Sequence, residues 1–259
     1  MVRFSIITPV FNGEKFLRDN IDKLQLQTYR NFEHIIVDGG STDKTVEILE
    51  SYSPKVKFIS EKDNGQSDAI NKGFHIASGE VVTWLGVDDY YSDNSVLERV
   101  SKYFNDKQLR ILQGRCKVIY LDTGVESLVP NPEVTEHNLI KWWNENSVPP
   151  QPSIFFRKEL LTKYGLLDET LHYCMDHDLW LRFLSNGEKF TQVDDLFSIY
   201  QIHSESKTGS STSKFVHEHD KVAKRYWGSK WQLKYYKHLA EYLYAKRKFK
   251  NVFKHLEKK

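Results

Sequence analysis

The sequence predicts an α/β fold with a mainly parallel sheet flanked by helices, because strand and helix signals alternate in order through residues 1–90. Carboxylates stand where two of those strands end, at Asp38 and at the adjacent pair Asp88-Asp89. Sheets of this order bind ligands beyond the carboxyl ends of their strands, so both positions are site candidates. A third feature lies at the other end of the chain, where the pattern reads as helical from Phe215 onward and predicts a C-terminal helical extension.

Residues 3–10 form a buried apolar run closed by a turn, the first strand. Residues 14–28 carry Phe16, Leu17, Ile21, Leu24 and Leu26 mostly on a helical period. Residues 32–38 are the second strand, stopped by Gly39-Gly40. Ser41-Thr42-Asp43 can cap a helix over 44–51, which Pro54 ends. Residues 56–60 make the third strand, 67–77 a helix stopped by Ser78-Gly79, and 80–85 a fourth strand running into Gly86-Val87-Asp88-Asp89. The second half is less regular. A strand over 111–121 turns through Asp122-Thr123-Gly124 into 125–128. Residues 148–152 read as a loop, 153–157 as a short strand, 178–185 as a helix, 197–203 as a strand and 207–213 as a polar loop. No internal repeat is visible.

A chain of 259 residues accommodates one large domain, or one domain with an appendage. No apolar run approaches the ~20 residues that span a bilayer. The N-terminus enters its first strand directly, so no secretory signal is expected. Cys116 and Cys174 are too few and too far apart for a disulfide framework, which fits a reducing cytoplasm. The overall charge of +2 conceals an asymmetry. Residues 214–259 hold fourteen Lys/Arg against four Asp/Glu, a net +10, which leaves −8 on the remaining body.

The chemistry concentrates in carboxylates. Asp88 and Asp89 follow an apolar strand without a spacer, and two adjacent charges there repel unless a cation or hydrogen-bond donors compensate. A hard divalent ion bridging two phosphates is one such compensation, and a solvated turn is the plainer alternative. Asp176 and Asp178 form a second cluster. Asp178 and Arg182 are four apart and can pair on a helix face. Asp176 is placed just before that helix, where it serves either as a general base or as a helix cap. His203 ends a strand and reads either as a ligand of the same metal or as a plain surface histidine. No Gly-x-Ser-x-Gly elbow and no phosphate loop ending in Gly-Lys-Ser/Thr is present.

Taken in order, these segments resemble the family 2 glycosyltransferases, which have the GT-A fold. The similarity is carried by Ser5 to Asn12, by Phe32 to Asp43, by Asp63 to Gly73 and by Trp84-Leu85-Gly86-Val87-Asp88-Asp89. It continues through Gln151-Pro152-Ser153, Asp176-His177-Asp178-Leu179-Trp180-Leu181-Arg182 and Tyr200-Gln201-Ile202-His203. The family's Asp-x-Asp metal motif has Gly86 in its first position here, and its Glu-Asp pair is Met175-Asp176.

The resemblance implies a GT-A-like domain over 1–213, with a nucleotide-binding half (1–90) and an acceptor-side half (91–213), followed by a basic, aromatic-rich helical tail (214–259). It implies that Asp38 binds the nucleobase edge in a pocket formed by Thr8, Pro9 and Phe11, with Asp68 beside the nucleoside. Asp88 and Asp89 would hold ribose and metal, His203 would approach the metal or the diphosphate, and Asp176 would be the catalytic base. The implied reaction is inverting transfer of a sugar from a nucleoside-diphosphate donor, a UDP-sugar, with Mn²⁺ or Mg²⁺ as cofactor. The acceptor would be a hydroxyl of a glycan or lipid-linked molecule in surface polysaccharide or glycoconjugate synthesis.

Two rivals stand beside this reading. A sugar nucleotidyltransferase shares the alternating domain but has a Gly-rich basic loop after its first strand, which residues 10–15 lack. A non-enzymatic carbohydrate-binding protein suits the 14% aromatic content but gives no reason for the carboxylates. The tail has two readings as well, peripheral docking on an anionic membrane from the cytoplasmic side, or packing on the domain. Nucleic acid is not expected, because no recognition fold accompanies the basic stretch.

Overall fold

In the computed structural model, which describes residues 1–142, 148–204, 206, 212–226, 236 and 240, β1 (Phe4–Val10) is buried at every position. A strand without a wet face must be covered on both sides, which places it inside the sheet. The chain continues through α1 (Leu17–Gln25), β2 (Phe32–Asp38), α2 (Thr45–Tyr52), β3 (Lys57–Ser60), α3 (Gln66–Ile76) and β4 (Val81–Trp84). β2 and β4 flank β1, β3 lies outside β2, and all three pairings are parallel. The alternating first half is therefore built as the sequence predicts, and the carboxyl ends of β1, β2 and β4 open on the same edge of the sheet.

Beyond β4 the chain runs through β5 (Tyr90–Tyr91), α4 (Val96–Tyr103), β6 (Ile111–Tyr120), β7 (Val125–Leu128), α5 (Glu136–Ile140), a 3₁₀ turn (Gln151–Ser153), β8 (Ile154–Arg157), α6 (Glu159–Tyr164), α7 (Met175–Ser185), β9 (Phe190–Ile202) and α8 (Thr212–Tyr226). The sheet order is β3-β2-β1-β4-β8-β6-β9-β5, with β7 hairpinned onto β6. This half is mixed. β8 is antiparallel to both β4 and β6, whereas β6 and β9 run parallel.

Several sequence expectations change here. β5 and α4 occupy a stretch that the alternation pattern leaves blank. α7 begins at Met175, three residues before the expected start, so Asp176 lies inside its first turn and not ahead of it. β9 is far longer than the expected 197–203 because its first half pairs with the start of β6. α8 begins at Thr212 and runs across the expected 213/214 boundary.

Successive side chains of a strand point to opposite faces, and Phe155 and Phe156 on β8 divide the core accordingly. Phe156 joins the cluster under α3 and α7 with Phe74, Trp84, Trp180 and Phe183, and Phe155 joins that under α4 with Phe4, Leu97 and Phe197. Trp84 stacks on Trp180 at 5.6 Å and 16°, which ties the end of β4 to α7. α3 approaches β1 closely at Gly73, where a Cβ would lie 2.5 Å from an Ile7 methyl.

The edge of the sheet opposite the site is held by one buried carboxylate. Glu33 accepts hydrogen bonds from Ser5 (2.7 Å), from the Ser78 amide and hydroxyl (2.7 and 2.6 Å) and from Lys57 Nζ (2.6 Å). Burial pushes its pKa up, but these donors outweigh burial and hold it at about 2, below the ordinary 4.5. A carboxyl depressed on folding adds stability that is fully present above its unfolded value and is lost as pH falls through its folded value. Urea unfolding is therefore expected to weaken between pH 4.5 and pH 2 in the wild type, and Glu33→Gln should flatten that part of the profile. Identical acid profiles for the two proteins would assign the acid sensitivity elsewhere.

Candidate active site

The loops after β1 and β2 bind each other at the open edge of the sheet. Asn12, at φ +51°, donates its amide to Ser41 Oγ (2.7 Å) and accepts from the Thr42 amide through Oδ1 (2.9 Å). Asp43 accepts from the Thr45 amide (2.9 Å) and so caps α2 as expected, while its other oxygen takes the Glu14 amide (3.0 Å). Beneath this lattice Asp38 is fully buried and accepts from the Gly40 and Ser41 amides, the Ser41 hydroxyl and the Ser60 hydroxyl. Thr8 and Pro9 are also buried, and the Thr8 hydroxyl bonds His34 Nε2 at 2.9 Å. Burial alone pulls His34 down to a pKa of about 3, so its ring is neutral. Phe11 stands out at the strand end, 64% exposed. Asp68, in the first turn of α3, accepts from the Asn64 amide (2.9 Å) and faces Lys72 Nζ at 3.5 Å.

Asp88 and Asp89 follow β4 in a tight turn. Asn20 on α1 donates to the Gly86 and Asp89 carbonyls (3.1 and 3.0 Å) and fixes that turn from below. Asp89 is 4% exposed, with the Gln201 amide donating to Oδ1 at 3.1 Å. Burial and then the neighbouring Asp88 charge raise its pKa well above the usual range. Asp88 Oδ2 accepts from His203 Nε2 at 3.0 Å, and the Gln201 side chain donates to the Asp88 carbonyl. The His203 ring packs on Phe16, and its Nδ1 is buried without a hydrogen-bond partner. Gly86 leaves a space bordered by both carboxylates. A Cβ there would lie 2.7 Å from an Asp89 oxygen and 2.9 Å from an Asp88 oxygen. Among the described residues no three His, Cys, Asp or Glu side chains already converge as a finished metal centre.

Asp88, Asp89 and Asp176 line one cleft of about 410 Å³, within the range of small-molecule sites. Gln66, Trp84, Pro149, Pro150, Tyr173, Phe215 and His219 also line it. Gln151 secures the cleft floor by donating to the Trp84 carbonyl at 2.6 Å. Asp176 sits in the first turn of α7, with Oδ1 accepting the His177 amide at 2.8 Å. Thr8, Pro9, Phe11, Asp38 and Asp68 are not among the residues that line this cleft, and of these five only Phe11 is exposed. His203 reaches it through Asp88.

Asp178 has a different place. It is 1% exposed and pairs with Arg182 (2.5 Å), as its spacing predicts, and with Arg225 on α8 (2.9 Å). Asn20, Phe215 and His219 carry no sequence signal of their own, because each is brought to the site by a long-range contact, and Gln201 is marked only as part of the segment Tyr200-Gln201-Ile202-His203.

Residues 5–165 match the family model described as glycosyl transferase family 2. An uncharacterised glycosyltransferase of Rickettsia typhi is 31% identical over 194 residues, 70% of this chain and 58% of the relative. The uncharacterised glycosyltransferase EpsJ of Bacillus subtilis is 28% identical over 83% of this chain and 65% of its own length. The chain thus spans under two thirds of these curated relatives. Among solved structures, S. aureus TarS 1–349 in complex with UDP-GlcNAc is similar at a TM-score of 0.65 and 22% identity, covering 81% of this chain and 61% of that one. A mannosyltransferase from Pyrobaculum calidifontis in complex with GDP-Man and Mn²⁺ is similar at 0.60 and 17%, covering 79% and 58%. The fold is accordingly the GT-A-like α/β fold that the sequence predicts.

Removing Asp178 takes the buried carboxylate from Arg182 and leaves Arg225 only Asp168, and breaking a buried pair of this kind costs on the order of 3 kcal/mol. Asp178→Ala should lose about that much in urea unfolding. A loss under about 1 kcal/mol would mean that the Asp178 pairs contribute little to holding α8.

Proposed function

The chain belongs to glycosyl transferase family 2, and we propose that it is an inverting glycosyltransferase that moves a sugar from a UDP-sugar to a hydroxyl of a glycan or lipid-linked acceptor. The observation that carries this reading is the cleft lined both by the carboxylate pair Asp88-Asp89 after β4 and by Asp176 on α7. Donor and acceptor then approach from different halves of the molecule. We assign the nucleoside to the surface formed by Phe11, Asp38 and Asp68, beside the buried Thr8 and Pro9. The Asp38 oxygens accept from the Ser41 and Ser60 hydroxyls, so a base that donates to Asp38 must displace one of these hydroxyls.

The residues around Gly86 fit a divalent cation. Two carboxylates share a space that a Cβ would fill, one of them is buried against its own charge, and the imidazole beside them has a buried ring nitrogen without a partner. Hard oxygen ligands suit Mn²⁺ or Mg²⁺. Held by Asp88 and Asp89, such an ion would supply positive charge to offset the departing diphosphate. His203 orients Asp88 through Nε2. Asp176 takes the proton of the acceptor hydroxyl as it attacks. One displacement inverts the anomeric carbon. The two thiols offer no covalent route, since both are buried and burial raises their pKa, to about 11 for Cys116.

The basic segment 214–259 is the second part of the proposal. Its described beginning packs inward, with Val222 and Ala223 fully buried, and Trp231, Tyr235, Tyr242, Tyr244, Phe249 and Phe253 lie outside the described residues. No helix among the described residues is long and apolar enough to cross a membrane. Docking on an anionic surface would therefore fall to residues beyond Tyr226. Co-sedimentation with anionic but not neutral vesicles, weakened by salt, is the expected result, and equal indifference to both would remove docking from the proposal.

Incubation with a panel of sugar nucleotides and Mn²⁺ should release nucleoside diphosphate. Release of pyrophosphate would favour a nucleotidyltransferase, and no turnover would favour a binding protein. EDTA should abolish release, and Asp89→Ala should lower it at least a hundredfold without unfolding the chain. Asp176→Asn should bind donor normally and lose turnover, because the base acts on the acceptor. Weaker donor binding with unchanged turnover would make Asp176 a binding residue instead.

A further inference from the structure

The family match ends at residue 165, yet the segment that delivers Asp176 is held from beyond it. Residues 168–178 are bonded by α8 turn after turn. The Glu218 carboxylate accepts the Tyr173 amide at 2.7 Å and the His172 amide at 3.0 and 3.1 Å. His219 Nδ1 meets His177 Nδ1 at 2.7 Å. Arg225 bonds Asp168 at 2.8 Å and Asp178 at 2.9 Å, and the Tyr226 hydroxyl donates to Asp178.

Glu218 occupies a particular place in this array. A helix start leaves amides unsatisfied and carries partial positive charge. Cys174, at the N-cap of α7, does not cap the helix with its side chain, and its thiol donates to Glu218 at 3.7 Å. The carboxylate that meets the two amides leading into that cap comes instead from a different helix. His177 is fixed by a second contact. Its Nε2 faces the Leu139 carbonyl at 2.8 Å, so Nε2 carries the proton and Nδ1 accepts from His219. His219 is clamped in turn against Trp142 at 4.9 Å and Phe215 at 4.2 Å. Asp176 lies between these two tethers, and its own Oδ1 accepts the His177 amide. The direction of its carboxylate therefore follows the direction of a turn that α8 controls. Phe215 and His219 also line the cleft beside it.

We infer that Glu218 and His219 are positioning residues for Asp176, so that α8 forms the acceptor-side wall of the active site. This rests on the reading of Asp176 as the base. Displacing a reacting group by about 1 Å costs up to about a hundredfold in rate. A role confined to fold stability leaves turnover intact well below the unfolding temperature, and that difference separates the two.

The test uses the full chain with the sugar nucleotide that the wild type turns over. Glu218→Ala should lower kcat tenfold to a hundredfold with donor KM unchanged, and Glu218→Gln, which still offers an acceptor oxygen, should recover part of the loss. His219→Phe keeps a ring against Trp142 and loses the bond to His177, and it should lower kcat in the same way. Val222→Ala, a cavity in the same helix without a polar contact, should lower the unfolding temperature and leave kcat alone. Wild-type kcat in Glu218→Ala, or an equal loss in Val222→Ala, overturns the inference. If the wild type turns over no sugar nucleotide, the glycosyltransferase reading falls, and amide hydrogen exchange then decides the positioning. Faster exchange confined to residues 172–178 in Glu218→Ala supports it, and unchanged exchange there overturns it.

Discussion

Two carboxylates sit side by side at the end of β4, and the architecture around them manages their repulsion. Asp89 is buried and its charge is opposed by Asp88, which raises its pKa. The chain answers with neutral donors and one imidazole. The Gln201 amide reaches Asp89, His203 reaches Asp88, and Asn20 holds the turn by its carbonyls. These partners come from α1, from the end of β9 and from the residue after it, so closing the sheet through β9 is what completes the surroundings of the carboxylate pair. Gly86 is the permissive element, because any side chain there would enter the space that both carboxylates border.

The part of the cleft beside Asp176 depends on a different kind of contact. α8 docks on α7 through buried polar pairs as well as through apolar burial. Asp178 meets two arginines, and Glu218 meets two backbone amides. A buried charge tolerates only a few positions of its partner, since misplacement leaves it unsatisfied. Apolar contacts alone accept sliding. The polar pairs therefore set the register of the two helices, and with it the outline of the cleft between Tyr173 and His219.

The parallel half of the fold was legible because its signals are local. A buried strand, a Gly-Gly stop and a cap at Asp43 each act within a few residues, and so does the Asp178–Arg182 pair. The second half was less legible. The amides that lead into the early start of α7 are met by Glu218, more than forty residues away in sequence, and the length of β9 depends on pairing with β6. Neither partner leaves a mark near the element that it extends.

The same division holds for the site. The sequence alone determined the α/β order, the strand-end positions of Asp38, Asp88 and Asp89, and the motif that carries Asp176, because these follow from chain-local patterning and residue type. Tertiary structure alone decided that Asp88, Asp89 and Asp176 share one cleft, that Asp178 is a buried anchor, and that Asn20, Gln201, Glu218 and His219 hold them there. Side-chain hydrogen bonds act over about 3 Å of space, whatever the distance along the chain, and only the folded backbone brings such partners within reach.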